Sequence, residues 1–230
     1  MRSQILGSGD RNLKRSILLA LGLATWLTVV VTGMGLLQRY SLTPGIAGTP
    51  GDRWPTASQI SPPPGYFTLL MAIHPHCPCS RASIGELSIL MAHSRGRLAA
   101  FVVFVEPPGF GQSWTKTDLW SSAGLIPGVT RIIDHGSEAK LFGAATSGQT
   151  MVYGRRGRLL FDGGITAARG HFGDNPGVDS IRALIDIHVA AGLGRPAVVH
   201  QDQAVQTAVF GCPLFAPSSN RKIEQGKCFK

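Results

Sequence analysis

Two of the four cysteines and two of the seven histidines of this chain fall within eight residues, His74-Pro75-His76-Cys77-Pro78-Cys79-Ser80-Arg81. Thiols and imidazoles at this spacing suit two chemistries. One is thiol–disulfide exchange, in which Cys77, nearer the open end of the turn, attacks as thiolate and Cys79 resolves the mixed disulfide. The other is capture of a soft metal ion, Cu(I) above all, by Cys77, Cys79 and His76. Adjacent ligands on a tight turn seldom all face one ion, so exchange is the first reading, with no cofactor, and copper the alternative. His74 and His76, when protonated, and Arg81 would lower the thiol pKa.

The turn is positioned by what flanks it. Tyr66 to Ile73 is an apolar run of strand length, and Ser80 to Leu90 has apolar residues at helical spacing at Ile84, Leu87 and Leu90/Met91. The cysteines therefore sit where a strand enters a helix, and the positive end of the helix dipole favours a thiolate. A Cys-Pro-Cys disulfide would close a small, strained and therefore oxidising ring. Cys212 and Cys228 leave two readings: they pair with each other, or Cys212 folds back to the cysteine turn as a further redox partner or ligand.

Beyond the first helix the pattern alternates. Leu98–Val105 and Val129–Asp134 read as strands, Thr117 to Gly124 and Ser137 to Phe142 as short helices, and Thr150–Tyr153 with Arg158–Phe161 as a hairpin turning at Gly154-Arg155-Arg156-Gly157. Asp179 to Ala191 reads as the last helix. Val198 and Val199 offer a further strand, and Gln201 to Phe215 a short helix or an arm. The expected fold is α/β, a mixed sheet flanked by helices, because strands alternating with helices imply parallel pairing and the hairpin adds antiparallel pairing.

Residues 16–38 carry no formal charge and are apolar on every face, as a transmembrane helix requires. Arg2, Arg11, Lys14 and Arg15 precede the span, so the short segment 1–15 stays cytoplasmic and the remainder is exported. The expected topology is single-pass, with the C-terminal domain on the exported side of the membrane. The span is longer than a cleaved signal's apolar region, although Gly45, Ala47 and Gly48 offer small residues for cleavage. Six prolines between Tyr40 and Gly65 make 39–64 an expected extended spacer. The domain then runs over 65–194 and a C-terminal arm over 195–230.

The formal net charge of +9 divides into five Lys/Arg against one acid in residues 1–40 and seventeen against twelve in the rest. The excess is +4 and +5, with no concentrated basic face, so nucleic acid is not an expected partner.

The order strand, cysteine turn, helix, strand, helix, strand, short helix, hairpin, helix resembles the thioredoxin-like fold over about Pro64 to Gly192. Cys77-Pro78-Cys79-Ser80-Arg81 is similar to the Cys-Pro-Pro-Cys-Arg of membrane-tethered periplasmic thioredoxin-like oxidoreductases. Cys77 matches the nucleophile, and Ser80 takes the place of the second cysteine. Cys77-Pro-Cys-Ser-Arg-Ala-Ser, Ser147-Gly148, Gly163-Gly164-Ile165-Thr166 and Arg169-Gly170-His171 resemble the RedB-like group of bacterial membrane-anchored proteins. The resemblance implies thiol–disulfide exchange with an exported protein substrate and a redox partner. It places Ser147, Gly148, Ile165 and Thr166 beside the cysteine turn, where substrate would bind. It also exposes two departures: the cis-proline loop falls near Ser147-Gly148-Gln149, which holds no proline, and the buried acid six residues before the nucleophile is Met71. A non-catalytic interaction domain is the remaining alternative.

Overall fold

The uncharged stretch lies inside α1 (Leu6–Leu42), a 37-residue helix whose 12–42 portion is long and apolar enough to cross a membrane. At 1.5 Å per residue it spans ~55 Å. The computed structural model describes residues 6–193 and 203–215, which form two units divided between Ser41 and Leu42.

The second unit is built on β1 (Phe67–Ile73), α2 (Ser80–His93), β2 (Leu98–Val105), α3 (Gln112–Thr115), α4 (Asp118–Gly124), β3 (Val129–Asp134), α5 (Ser137–Leu141), β4 (Gln149–Tyr153), β5 (Leu159–Gly163), α6 (Pro176–Gly192) and β6 (Val205–Gln206). The strands form one sheet in the order β3-β2-β1-β4-β5-β6. β1 pairs in parallel with β2 and antiparallel with β4, so the expected mixed sheet is present. All seven residues of β1 are buried, as a central strand covered on both faces demands. The edge strand β3 leaves Thr130 and Arg131 exposed, and a charged side chain there discourages further strand pairing.

The two sheet faces have separate cores. On one, Leu69, Met71 and Ile73 of β1 pack with Ile84, Leu87 and Leu90 of α2, Leu119 of α4, and Ile181 and Ile185 of α6. On the other, Leu70, Ala72 and Met151 pack with Phe142, Ile60 and Leu214. α6 begins earlier than its periodicity suggests, because Asn175 accepts from the Val178 N–H at 2.9 Å and Pro176 follows as the first helical residue.

Part of the proline-rich stretch, expected as an extended spacer, is laid against the second core through Trp54 and Ile60. The Trp54 ring meets Phe142 at 4.8 Å and Tyr153 at 5.1 Å, both edge-on. Glu138 accepts from Ser58 Oγ at 2.7 Å and from the Gln59 N–H at 2.9 Å. Composition identifies a chain without regular structure; it does not reveal apolar side chains such as Trp54 and Ile60 finding a sheet face that α5 covers only in part.

Of the segment expected as a short helix or an arm, residues 203–215 are described, and they form an arm. β6 lies parallel to β5, and residues 207–214 then cross toward the cysteine turn. Val198, Val199 and Cys228 lie outside the described residues, so the strand expected at 198 and the Cys212–Cys228 pairing do too.

Candidate functional site

β1 ends at Ile73, and the chain turns through Pro75 and His76 before α2 begins at Ser80. The Cys77 N–H donates to the His74 carbonyl at 3.0 Å, and the Ser80 N–H donates to the Cys77 carbonyl at 3.1 Å. These bonds wind the turn so that both thiols point into the molecule. Cys77, Cys79 and Cys212 form one buried cluster, 1%, 8% and 4% exposed. None of the three is in a disulfide.

The cluster is electrostatically asymmetric. The Cys212 thiol is the main group holding the Cys77 pKa far below its ordinary value of 9.0, followed by the Cys79 thiol, with further help from the Ser80 hydroxyl and the Cys212 backbone N–H. Burial opposes this and loses, because several donors converge on one sulfur. Cys79 also feels Cys212, which lowers its pKa, but its hydrogen bond to Cys77, burial and the Cys77 charge together raise it. The Arg169 guanidinium pulls the Cys79 thiol back down. The hydrogen bonds therefore favour the thiolate at Cys77 over one at Cys79.

His74 is buried, and desolvation lowers its pKa, with the nearby Cys77 charge acting in the opposite direction. It serves as a structural bracket: its Nδ1 accepts from the His76 N–H at 3.2 Å, and its own N–H donates to Ser147 Oγ at 2.7 Å. His76 turns outward, with Nε2 2.9 Å from the Trp114 carbonyl and its ring tilted over the Trp114 ring at 4.4 Å. The Cys77, Cys79 and His76 set considered for copper is therefore not gathered around one point, and among the described residues no three His, Cys, Asp or Glu side chains are disposed to hold a metal ion. Arg81 pairs with Asp118 across an exposed surface. The groups with the largest lowering effect on the Cys77 thiol are Cys212, Cys79 and Ser80.

The loop expected to bind substrate lies against the turn and is buried. Ser147 is held on three sides: its Oγ accepts from the His74 N–H, lies 2.7 Å from Ser80 Oγ, and its N–H donates to the Cys212 carbonyl at 2.8 Å. Gly148, at φ +90°, donates to the Ala72 carbonyl and comes so close to Ser83 that a Cβ would sit 2.9 Å from Ser83 Oγ. Ile165 belongs to the core under α6, and Thr166 is buried. Ser147 and Gly148 flank the cysteine turn, whereas Ile165 packs inward.

Three further groups lie at the site. Trp114, on α3, meets the His74 ring edge-on at 5.5 Å and the His76 ring at a tilt; α3 is held by Thr115 Oγ1 donating to buried Glu106 at 2.6 Å and by Thr117 Oγ1 donating to the Pro75 carbonyl at 3.2 Å. Arg169 reaches the Gly211 carbonyl with Nη1 at 2.5 Å. Cys212 arrives from the arm. Sequence reasoning missed Trp114, for which aromatic residues among prolines and glycines at 107–114 were the available signal; Cys212 folding back to the turn was one of the two readings left open for it.

The sheet order, the cysteine turn closing β1 and the helix that follows define a thioredoxin-like domain, preceded by one apolar helix long enough to cross a membrane. No protein-family model and no curated protein matches the chain. Among solved structures, an uncharacterized conserved protein from Geobacillus kaustophilus is 19% identical with a TM-score of 0.51, covering 77% of this chain and 95% of that one. A hypothetical protein from Sinorhizobium meliloti 1021 is 20% identical at a TM-score of 0.49, covering 76% and 94%. A thiol:disulfide interchange protein of the thioredoxin family from Chlorobium tepidum is 13% identical at a TM-score of 0.36, covering 63% and 94%. At such identities the likeness concerns the fold.

Proposed function

We propose that the protein is a membrane-tethered thiol–disulfide oxidoreductase acting on exported proteins. The observation that carries this reading is the convergence of the Cys79 and Cys212 thiols and the Ser80 hydroxyl on Cys77, which favours a thiolate there. A thiolate is the attacking form in disulfide exchange. Cys77 attacks a substrate disulfide, forming a mixed disulfide and expelling one substrate thiolate. Cys79 then attacks the Cys77 sulfur, the Cys77–Cys79 disulfide forms, and the second substrate thiol leaves. Two electrons pass from the cysteine pair to the substrate, and a separate redox partner restores the pair. The cationic N-terminal flank supports an orientation with this domain in the periplasm, anchored in the inner membrane by one span.

The test is reduction of insulin disulfides by the full-length protein in detergent with dithiothreitol as electron source. The wild type is expected to accelerate reduction, and Cys77→Ser to return the rate to background. Equal rates for wild type and Cys77→Ser would reject the reading.

A further inference from the structure

Cys77 is the reactive sulfur of the proposed exchange, yet it is 1% exposed. The arm supplies the third member of its buried cluster. Ser147 donates to the Cys212 carbonyl at 2.8 Å, the Leu214 N–H donates to the Ala145 carbonyl at 2.9 Å, and Thr146 bridges Pro213 in antiparallel fashion. Arg169 clamps the Gly211 carbonyl, and the Gly45 N–H reaches the Val209 carbonyl at 2.7 Å. Gly211 lies so close to the loop that a Cβ there would sit 1.9 Å from the Ser147 carbonyl oxygen. The arm is thus a short strand docked on the loop beside the nucleophile, presenting a cysteine to it as an extended substrate peptide would.

We infer that Cys212 is a third redox thiol, which takes over the disulfide from Cys79 so that the oxidised protein rests with a Cys77–Cys212 bond locking the arm shut. The inference rests on the exchange reading above. A Cys77–Cys79 disulfide closes a small ring through Pro78, whose φ is fixed, so the backbone cannot relax around the bond. Cys212 comes from a separate segment and is free of that ring. The deprotonated Cys212 sulfur attacks Cys77; the Cys77–Cys212 bond forms, the Cys77–Cys79 bond breaks, and Cys79 leaves as thiolate and takes up the proton given up by Cys212. No electrons are gained or lost. Arg169, whose charge lies beside Cys79, favours that leaving thiolate.

The arm must lift for a protein disulfide to reach Cys77. Oxidation then closes the gate, and reduction by the redox partner frees it.

The experiment equilibrates the full-length protein in detergent with glutathione redox buffers, quenches with acid, alkylates free thiols and maps disulfides by mass spectrometry. The expected oxidised wild type carries Cys77–Cys212 in about tenfold excess over Cys77–Cys79, which corresponds to ~30 mV between the two couples. Cys212→Ala is expected to carry Cys77–Cys79 alone, at a more oxidising potential. Oxidised wild type with Cys77–Cys79 and an alkylated Cys212, or with Cys212 bonded to Cys228, overturns the inference and leaves the exchange reading standing. Cys77 remaining a thiol at every potential overturns both.

Discussion

Ser80 Oγ lies 2.7 Å from Ser147 Oγ. Ser80 stands where the resembling oxidoreductases carry their second cysteine, and Ser147 lies in the loop where a proline is expected; these two differences from that pattern, Met71 aside, meet in one hydrogen bond. Ser147 also accepts from the His74 backbone, so the bond ties the end of β1, the start of α2 and the entry to β4 together.

Replacing Ser147 by Ala removes the acceptor for the His74 N–H and the partner of the Ser80 hydroxyl, both buried. Leaving buried polar groups unpaired costs ~1–3 kcal/mol. Chemical denaturation of the reduced protein is expected to show a loss of that size with an unchanged denaturant slope. A Ser147→Ala variant as stable as wild type would mean this bond does not hold the turn.

Gly211→Ala tests how tightly the arm seals the nucleophile. The added Cβ meets a backbone oxygen, so the arm and not a flexible side chain must move. Iodoacetamide is expected to label Cys77 at least about tenfold faster in the variant, because exposure limits access to a buried thiolate. Identical labelling rates would show that the arm does not limit access.

The cysteine cluster predicts a distinct pH behaviour for the reduced protein. Because the folded pKa of Cys77 lies below its ordinary 9.0, the thiolate's contribution to stability is full above pH 9.0 and is lost as pH falls toward the folded value. The stability difference between wild type and Cys77→Ser should grow with pH across the neutral range and level off above 9.0. Thiolate absorbance near 240 nm should persist in the folded wild type below neutral pH and vanish in Cys77→Ser. A flat stability difference would contradict the assigned thiolate.

Asp162 gives the opposite sign. Burial raises its pKa from 3.8, against the Gln149 Nε2 that donates to its Oδ1 at 2.9 Å. A raised carboxyl favours folding below its unfolded pKa, and that contribution is lost as pH rises through the folded value. Asp162→Asn keeps the acceptor for Gln149 without the charge. It is expected to melt higher than wild type at pH 7, with the gap closing below about pH 3.8; a variant that melts lower at pH 7 would show that the carboxylate is satisfied in the fold.

Much of the sheet was legible because its signals are local. Leu98–Val105 and Val129–Asp134 are continuous or alternating apolar runs bounded by turn residues, and the strands match them residue for residue. Ser80 as the start of α2 followed from the spacing of Ile84, Leu87 and Leu90. The Cys77-Pro78-Cys79 turn was legible for the same reason. What was not legible depends on distant partners. β6 has two residues and exists because β5 offers an edge. Cys212 reaches Cys77 because Gly211 allows a close approach to Ser147, and no periodicity around position 212 encodes that approach. His74 was read as a charge source; burial, a tertiary property that its neighbours in sequence do not reveal, lowers its pKa.

The central claim is that Cys77 attacks protein disulfides, and trapping the covalent intermediate tests it most directly. In the full-length Cys79→Ser, Cys212→Ser variant no neighbouring thiol of the cluster can release a mixed disulfide. Incubation with a disulfide-containing protein is expected to give an adduct through Cys77 that dithiothreitol dissolves and that is absent when Cys77 is also replaced by Ser. Failure to form the adduct under conditions where Cys77 is alkylated by a small reagent would contradict the account.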